Sequence, residues 1–368
     1  MLYNWELMKF FFRSFGQIYL LFFFLSLIVS AQTSQIQLDL PLKNCWRLPD
    51  KIISAIQTSD STAFFSLSDG TIEALDIPTA KIIWRSQYGG NLVSSPVSEK
   101  LVIANRISNN SKMEENIKKN LVIRLLSSNT GLTLLQRSFD LDSSYIMLLS
   151  NSSQIFLISD KRITALNKND LNIQWENNLP SNPSSSLATN DFVFISSDNN
   201  LLVFSTRTGE LIQKIQHKAS IVGKMDFLGG VIFAGDETGK IIAYNLNKRK
   251  QLWQTITGAS AVSIKAFEKR ILVSSKDNFV YLLSSRNGNK IWKRRFPNRP
   301  VADLVIYDKF AIVEALDENK ISILSLKTGE IVNQVELSSS PLTSPTIASG
   351  FLLIPTSKGL EAFANSCL

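Results

Sequence analysis

The 368-residue sequence is 44% hydrophobic and 19% charged, a balance that supports a buried core and excludes a disordered chain. Its 39 basic and 31 acidic residues leave a formal charge of +8, too diffuse over this length for a nucleic-acid footprint. One histidine, His217, argues against histidine relays and multi-histidine metal sites, and two cysteines exclude thiolate zinc clusters.

Residues 1–31 read as a separate object. Lys9 and Arg13 precede an apolar stretch at 18–29, and Val29-Ser30-Ala31 offers small residues at cleavage spacing, the order of a secretory signal. An uncleaved membrane anchor is the other reading, although the stretch is short beside the ~20 residues of a span. No cysteine follows it, so a lipid anchor at this point is excluded. Residues 32–368 are expected to form a single exported domain.

That domain is built from a repeat. In GTIEALDIPTAKIIW, residues 70–84, an alternating run reaches Ala74-Leu75-Asp76, turns at Thr79 and closes on Trp84, ten residues after Ala74. The same interval separates Ala165 from Trp175, Ala243 from Trp253 and Leu282 from Trp292. Leu125-Leu126-Ser127, Val203-Phe204-Ser205 and Ile323-Leu324-Ser325 keep the frame, each followed by Thr-Gly, without the tryptophan. Ala362-Phe363-Ala364 is an eighth copy.

The middle residues, 75, 126, 166, 204, 244, 283, 324 and 363, are spaced by 51, 40, 38, 40, 39, 41 and 39. A period of this length without helical patterning predicts an all-β fold, an eight-bladed β-propeller of four-stranded blades. Between 221 and 257 the four strands read IVGKMDF, GVIFAGD, GKIIAYN and QLWQTIT, with Gly or Asp punctuation. The eighth repeat stops before its outer strand. Residues 35–48, ending in Cys45-Trp46, are predicted to supply it, so that both ends of the chain share one blade.

The frame Ala-x-Asp-x-x-Thr-Gly-x-x-x-Trp resembles the tryptophan-docking motif of the quinoprotein, or PQQ-like, propeller repeat over residues 35–368. Ala74, Asp76, Thr79 and Trp84 match it, with Ala80 replacing the glycine, and Thr208-Gly209 and Thr328-Gly329 match its turn. The resemblance implies that Trp46, Trp84, Trp175, Trp253 and Trp292 wedge between neighbouring blades, each with roughly 150–250 Å² to bury.

Two branches of the family imply different functions. Quinoprotein dehydrogenases hold pyrroloquinoline quinone and calcium at the ring centre beneath an adjacent-cysteine disulfide. Here the only cysteines are Cys45 and Cys367. The predicted inner strands are rich in Ser, Ala and Pro, as in Ser94-Ser95-Pro96, Ser184-Ser185-Ser186 and Ser344-Pro345, where calcium needs carboxylates. No catalytic residue, cofactor or metal is therefore expected. The BamB family of outer-membrane protein assembly factors is similar in size. It implies an exported, non-catalytic scaffold for envelope protein partners such as the β-barrel assembly machinery, a monomer within a complex. The lipid-anchoring cysteine usual in that family is missing. A quinoprotein-like enzyme and a periplasmic ligand sensor are the alternatives.

Four local features stand apart from the repeat. Cys45 and Cys367 fall in the closing blade, either as a disulfide in an oxidising compartment or as two free thiols. The long spacing comes from an insertion at 107–120, ISNNSKMEENIKKN, between the second and third strands of blade 2. Asn109, Lys112, Glu114 and Glu115 are its candidate partner contacts, against the reading of a tolerated polar tip. Lys248, Arg249 and Lys250 are expected to share one face with Arg286, Lys293, Arg294 and Arg295. They would seat an acidic partner or a phospholipid surface, or form a solvated rim. His217 lies in the connection out of blade 4 and reads as a surface histidine.

Overall fold

Strand Thr62–Ser66 places Phe64 and Phe65 side by side, and both are fully buried. Successive side chains on a strand point to opposite faces, so this pair requires packing on both sides of the sheet. The computed structural model supplies it by standing eight four-stranded antiparallel blades against one another, the inner strands of blades 5 and 6 being joined by a parallel bridge between Lys224 and Ser263. It describes residues 38–367 apart from 88–89, 109–118, 142–144, 301–303 and 316–317. The stretch read as a signal, 1–31, lies outside the described residues.

The blades span 57–86, 91–141, 146–178, 185–216, 221–256, 261–295 and 305–336, with strands in sequence order from the innermost outwards. Blade 8 takes three strands from 346–364 and its outer strand from Lys43–Leu48, which runs antiparallel to Gly359–Ala364 with Trp46 opposite Ala362. The ring is thus closed by the N-terminal strand, as the truncated eighth repeat predicts. A disulfide joins Cys45 and Cys367 in this blade, with the two Cα atoms 5.2 Å apart.

The core follows from this stacking. It is divided into eight apolar layers, one per seam between blades, rather than gathered at one centre. Phe65 packs in the seam with blade 8 and Phe64 in the seam with blade 2. Each strand order also sets two ring faces. The first and third hairpin turns of every blade emerge on one (face A), and the second turn and the crossover to the next blade on the other (face B).

Blade 2 departs from the others. Its strands Lys100–Ser108, Lys119–Ser127 and Thr133–Leu141 are nine residues each, where the equivalent strands elsewhere have five to seven. The predicted insertion is therefore partly strand, with Ile107 opposite Asn120 and Ser108 opposite Lys119. At ~3.3 Å per residue, the blade projects roughly 10 Å further on face B. The tip residues Asn109, Lys112, Glu114 and Glu115 lie outside the described residues.

Candidate functional site

The ten-residue interval of the repeat is a cross-strand pairing. Ala74 faces Trp84, Ala165 faces Trp175 and Ala243 faces Trp253, each just before a register shift in the ladder. Leu282 faces Trp292 in the same way. Each indole then reaches into the next blade and donates its N–H to the first carbonyl after that blade's third strand. Trp46 bonds Ile77 at 3.0 Å, Trp84 bonds Ser128 at 2.8 Å and Trp175 bonds Thr206 at 2.7 Å. Trp253 bonds Ser285 at 2.8 Å and Trp292 bonds Leu326 at 3.1 Å.

The glycine of the Thr-Gly turn completes the contact, because it belongs to the receiving blade. Gly209 has φ +75°, and a Cβ there would stand 2.7 Å from Trp175 Cδ2. Gly131 meets Trp84, Gly288 meets Trp253 and Gly329 meets Trp292 in the same way. Where the preceding blade has Leu135 or Gln213 in the docking position, the receiving turn carries Leu171 or Arg249 instead of glycine. The two large side chains stand where no indole lies against the turn, whereas blade 1, which receives Trp46, carries the small Ala80 at φ +55°.

The mouth of the central funnel on face B holds a cavity of about 770 Å³ between blades 1, 2 and 3. Val93, Ile146 and Leu148 give it an apolar floor, with Ile53 exposed at its rim, and Asn91, Asn105 and Arg106 form a polar edge beside the projecting blade 2. Arg124 donates to Asn105 at 2.6 Å and fixes that edge. On the opposite side of the mouth, Ala55, Lys224, Val262, Glu314 and 341–346 line a second hollow of about 450 Å³.

Quinone and calcium do not fit this donor set. Among the described residues Glu314 is the one carboxylate lining either hollow, and Lys224 lines the same one. Among the described residues no group of three or more His, Cys, Asp or Glu is placed to hold a metal ion. Calcium takes six to eight oxygens. The inner-strand serines instead tie blade to blade, as in Ser185 Oγ to the Gly223 carbonyl and Ser184 Oγ to the Ile221 carbonyl at 2.7 Å.

The basic residues do not all share one face. Lys248, Arg249 and Arg286 lie in the last hairpin turns of blades 5 and 6, on face A, and Lys250 opens the outer strand of blade 5. Lys293, Arg294 and Arg295, however, end strand Lys290–Arg295 and so lie towards face B. A strand leaving a turn carries its residues away at about 3.3 Å each, which separates the two groups. His217 also differs from expectation. It is half-buried, and its Nε2 has no hydrogen-bond partner, because the imidazole lines a cleft between blades 4 and 5.

Lys168 is a buried cation that the repeat frame made visible in principle. It occupies the position held by Ile77, Thr206 and Leu246 in other blades, where buried residues stand. Its ammonium donates to the Asn151 carbonyl, and burial holds its pKa down to about 8. Between about 8 and the ordinary 10.5 the unfolded chain therefore binds more protons than the folded one, so folding stability rises with pH across that window. Lys168→Met should be more stable than the parent near pH 7, by of the order of 1 kcal/mol. Urea titrations at pH 7.5 and 9.5 should show the difference shrinking as pH rises (roughly the window set by the shift).

A family model described as outer membrane protein assembly factor BamB matches residues 68–220 and 159–267. Among solved structures, BamB from Moraxella catarrhalis superposes with a TM-score of 0.66 at 15% identity, covering 88% of this chain and 97% of that one. The computationally designed Ika8 protein gives 0.71 at 14% identity, with 87% and 98% covered. Saccharomyces cerevisiae Sqt1 gives 0.67 at 12%, with 89% and 98% covered, so these likenesses describe the fold. No curated protein matches the sequence. With more than half of its length matched and five indoles docked blade to blade, the chain belongs to the BamB family of PQQ-like propellers.

Proposed function

We propose that the chain is an exported, non-catalytic scaffold that joins protein partners at the cell envelope, in the outer-membrane β-barrel assembly role after which its family is named. The match of residues 68–220 and 159–267 to the BamB family carries this reading. The signal-like order of residues 1–31 supports export. The funnel mouth supports docking over chemistry. Its 770 Å³ hollow is apolar at the base and polar at the edge, which suits an inserted loop of a partner. The projecting sheet of blade 2 adds a wall that the other blades lack.

Affinity capture from intact envelopes tests this directly. The tagged full chain should recover components of the barrel-assembly machinery, and Ile53→Glu, at the exposed edge of the funnel mouth, should lower recovery about ten-fold while leaving thermal stability unchanged. Capture that recovers no barrel-assembly component, together with unaltered outer-membrane barrel levels in a deletion strain, overturns the proposal.

A further inference from the structure

Three of the eight seams have no docking tryptophan: those after blades 2, 4 and 7, with Leu135, Gln213 and Asn333 in its place. The chain fills the third of these itself. Leu38 and Leu42 join the apolar layer between blades 7 and 8, and their backbone N–H groups donate to Tyr307 Oη and Asn333 Oδ1. The other two seams open on the outer rim as clefts of about 210 and 220 Å³.

The two clefts differ in chemistry. Between blades 2 and 3 the charges are internally matched. Arg137 donates to the Leu171 carbonyl and lies over Phe139, and Glu176 takes Arg162 and Thr164. Between blades 4 and 5 they are not. Lys218 and Lys240 line this cleft with Gln251, Gln254 and His217, and among the described residues neither ammonium has an ion-pair partner. Asp236 also lines it, but its Oδ1 is occupied by the N–H groups of Thr238 and Lys240 and by Thr238 Oγ1. Glu237 accepts from Ser220 N–H. The Nε2 atom of His217 is buried without a hydrogen bond.

We propose that this cleft is a carboxylate site that receives an acidic side chain of a partner protein. Two ammonium groups against the single carboxylate of Asp236 leave the lining net positive and supply the attraction. The buried imidazole nitrogen gains the partner whose absence costs it desolvation. A hollow of 220 Å³ admits a single side chain and excludes a folded element. The carboxylamide groups of Gln251 and Gln254 suit the planar oxygen pair of a carboxylate. The site goes beyond the scaffold reading and does not depend on which machinery the ring joins, since its test uses purified protein.

His217 is the only histidine of the chain, so the imidazole spectrum of the full-length protein holds one signal to follow. N-acetylglutamate amide, which carries one side-chain carboxylate, should move that signal saturably and raise the titration midpoint of His217. The uncharged N-acetylglutamine amide should not. Burial holds the starting midpoint of His217 down, Asp236 opposes that shift and Lys240 adds to it, while Lys218 is the other charge lining the cleft. Lys240→Met should weaken binding about five-fold. The proposal is overturned by the absence of a saturable shift at concentrations on the order of 100 mM, or by equal response to acid and amide. It is equally overturned by full binding in the Lys218→Met/Lys240→Met protein. Inorganic phosphate binding more tightly than the carboxylate would mark a general anion site instead.

Discussion

Reduction of the Cys45–Cys367 bond should lower the unfolding free energy by about 2–5 kcal/mol, the largest effect expected of any single covalent change. The two cysteines are 322 residues apart in sequence, and chain entropy alone sets an upper bound of roughly 5–6 kcal/mol for a loop of that size. The full bound should not be reached, because the closing ladder survives reduction. Lys43 to Leu48 still pairs with 360–364, and Trp46 still donates to Ile77. Urea unfolding of the parent with and without reductant, and of the Cys45→Ser/Cys367→Ser protein, measures the loss. Amide exchange should rise first in Lys43–Leu48 and its partner strand. Equal midpoints for oxidised and reduced protein would show that the strand pairing closes the ring without the bond.

Trp175→Ala should cost about 3–5 kcal/mol. The indole is 9% exposed, packs 5.9 Å from the Phe156 ring and donates to Thr206, so its removal leaves a cavity and takes one of two donors from a carbonyl that keeps Gln154 Nε2 at 2.8 Å. Gly209→Val should cost ~2–4 kcal/mol for two separate reasons. The residue holds φ +75°, which a β-branched side chain adopts poorly, and its first carbon would overlap the indole. The diagnostic result is the double variant. With the indole gone the overlap disappears and only the backbone strain persists, so the combined loss should fall short of the sum by about 1 kcal/mol or more. Strict additivity in denaturant unfolding would mean that the glycine is needed for its backbone alone.

The pairing of tryptophan with the triplet was legible because both residues lie in one blade, ten positions apart. Local spacing reports cross-strand register directly: Ala165 opposite Trp175, and also Val203 opposite Gln213 where the indole is missing. The closing strand was legible for the same reason, since the eighth frame lacked a fourth strand and Trp46 had no other place. What the repeat did not reveal lies between blades. Leu171 and Arg249 were in view as exceptions to Thr-Gly, yet their meaning depends on the residue one blade earlier. His217 looked like a loop residue, and it becomes half-buried only when blade 5 stands beside it. The basic groups were placed on one face by their turn residues, although Lys293 to Arg295 lie at the far end of their strand. Position along a strand, as well as proximity to a turn, decides which face a charge reaches.

The shared eighth blade also orders events in time. Strand Lys43–Leu48 is synthesised before any blade, and its partner Gly359–Ala364 after nearly all of the chain. Six seams join blades that follow each other directly in sequence and can assemble as the chain lengthens. The seam between blades 7 and 8 needs Leu38 and Leu42, and the seam between blades 8 and 1 needs Trp46, so both wait for the two ends to meet. That meeting is a long-range search of the kind that slows folding. Until it succeeds, the first-made strand has only blade 1 to lie against and no ladder to join, and the last-made strand is an open edge available to other chains. A single encounter between the oldest and the newest segments therefore separates an arc from a ring.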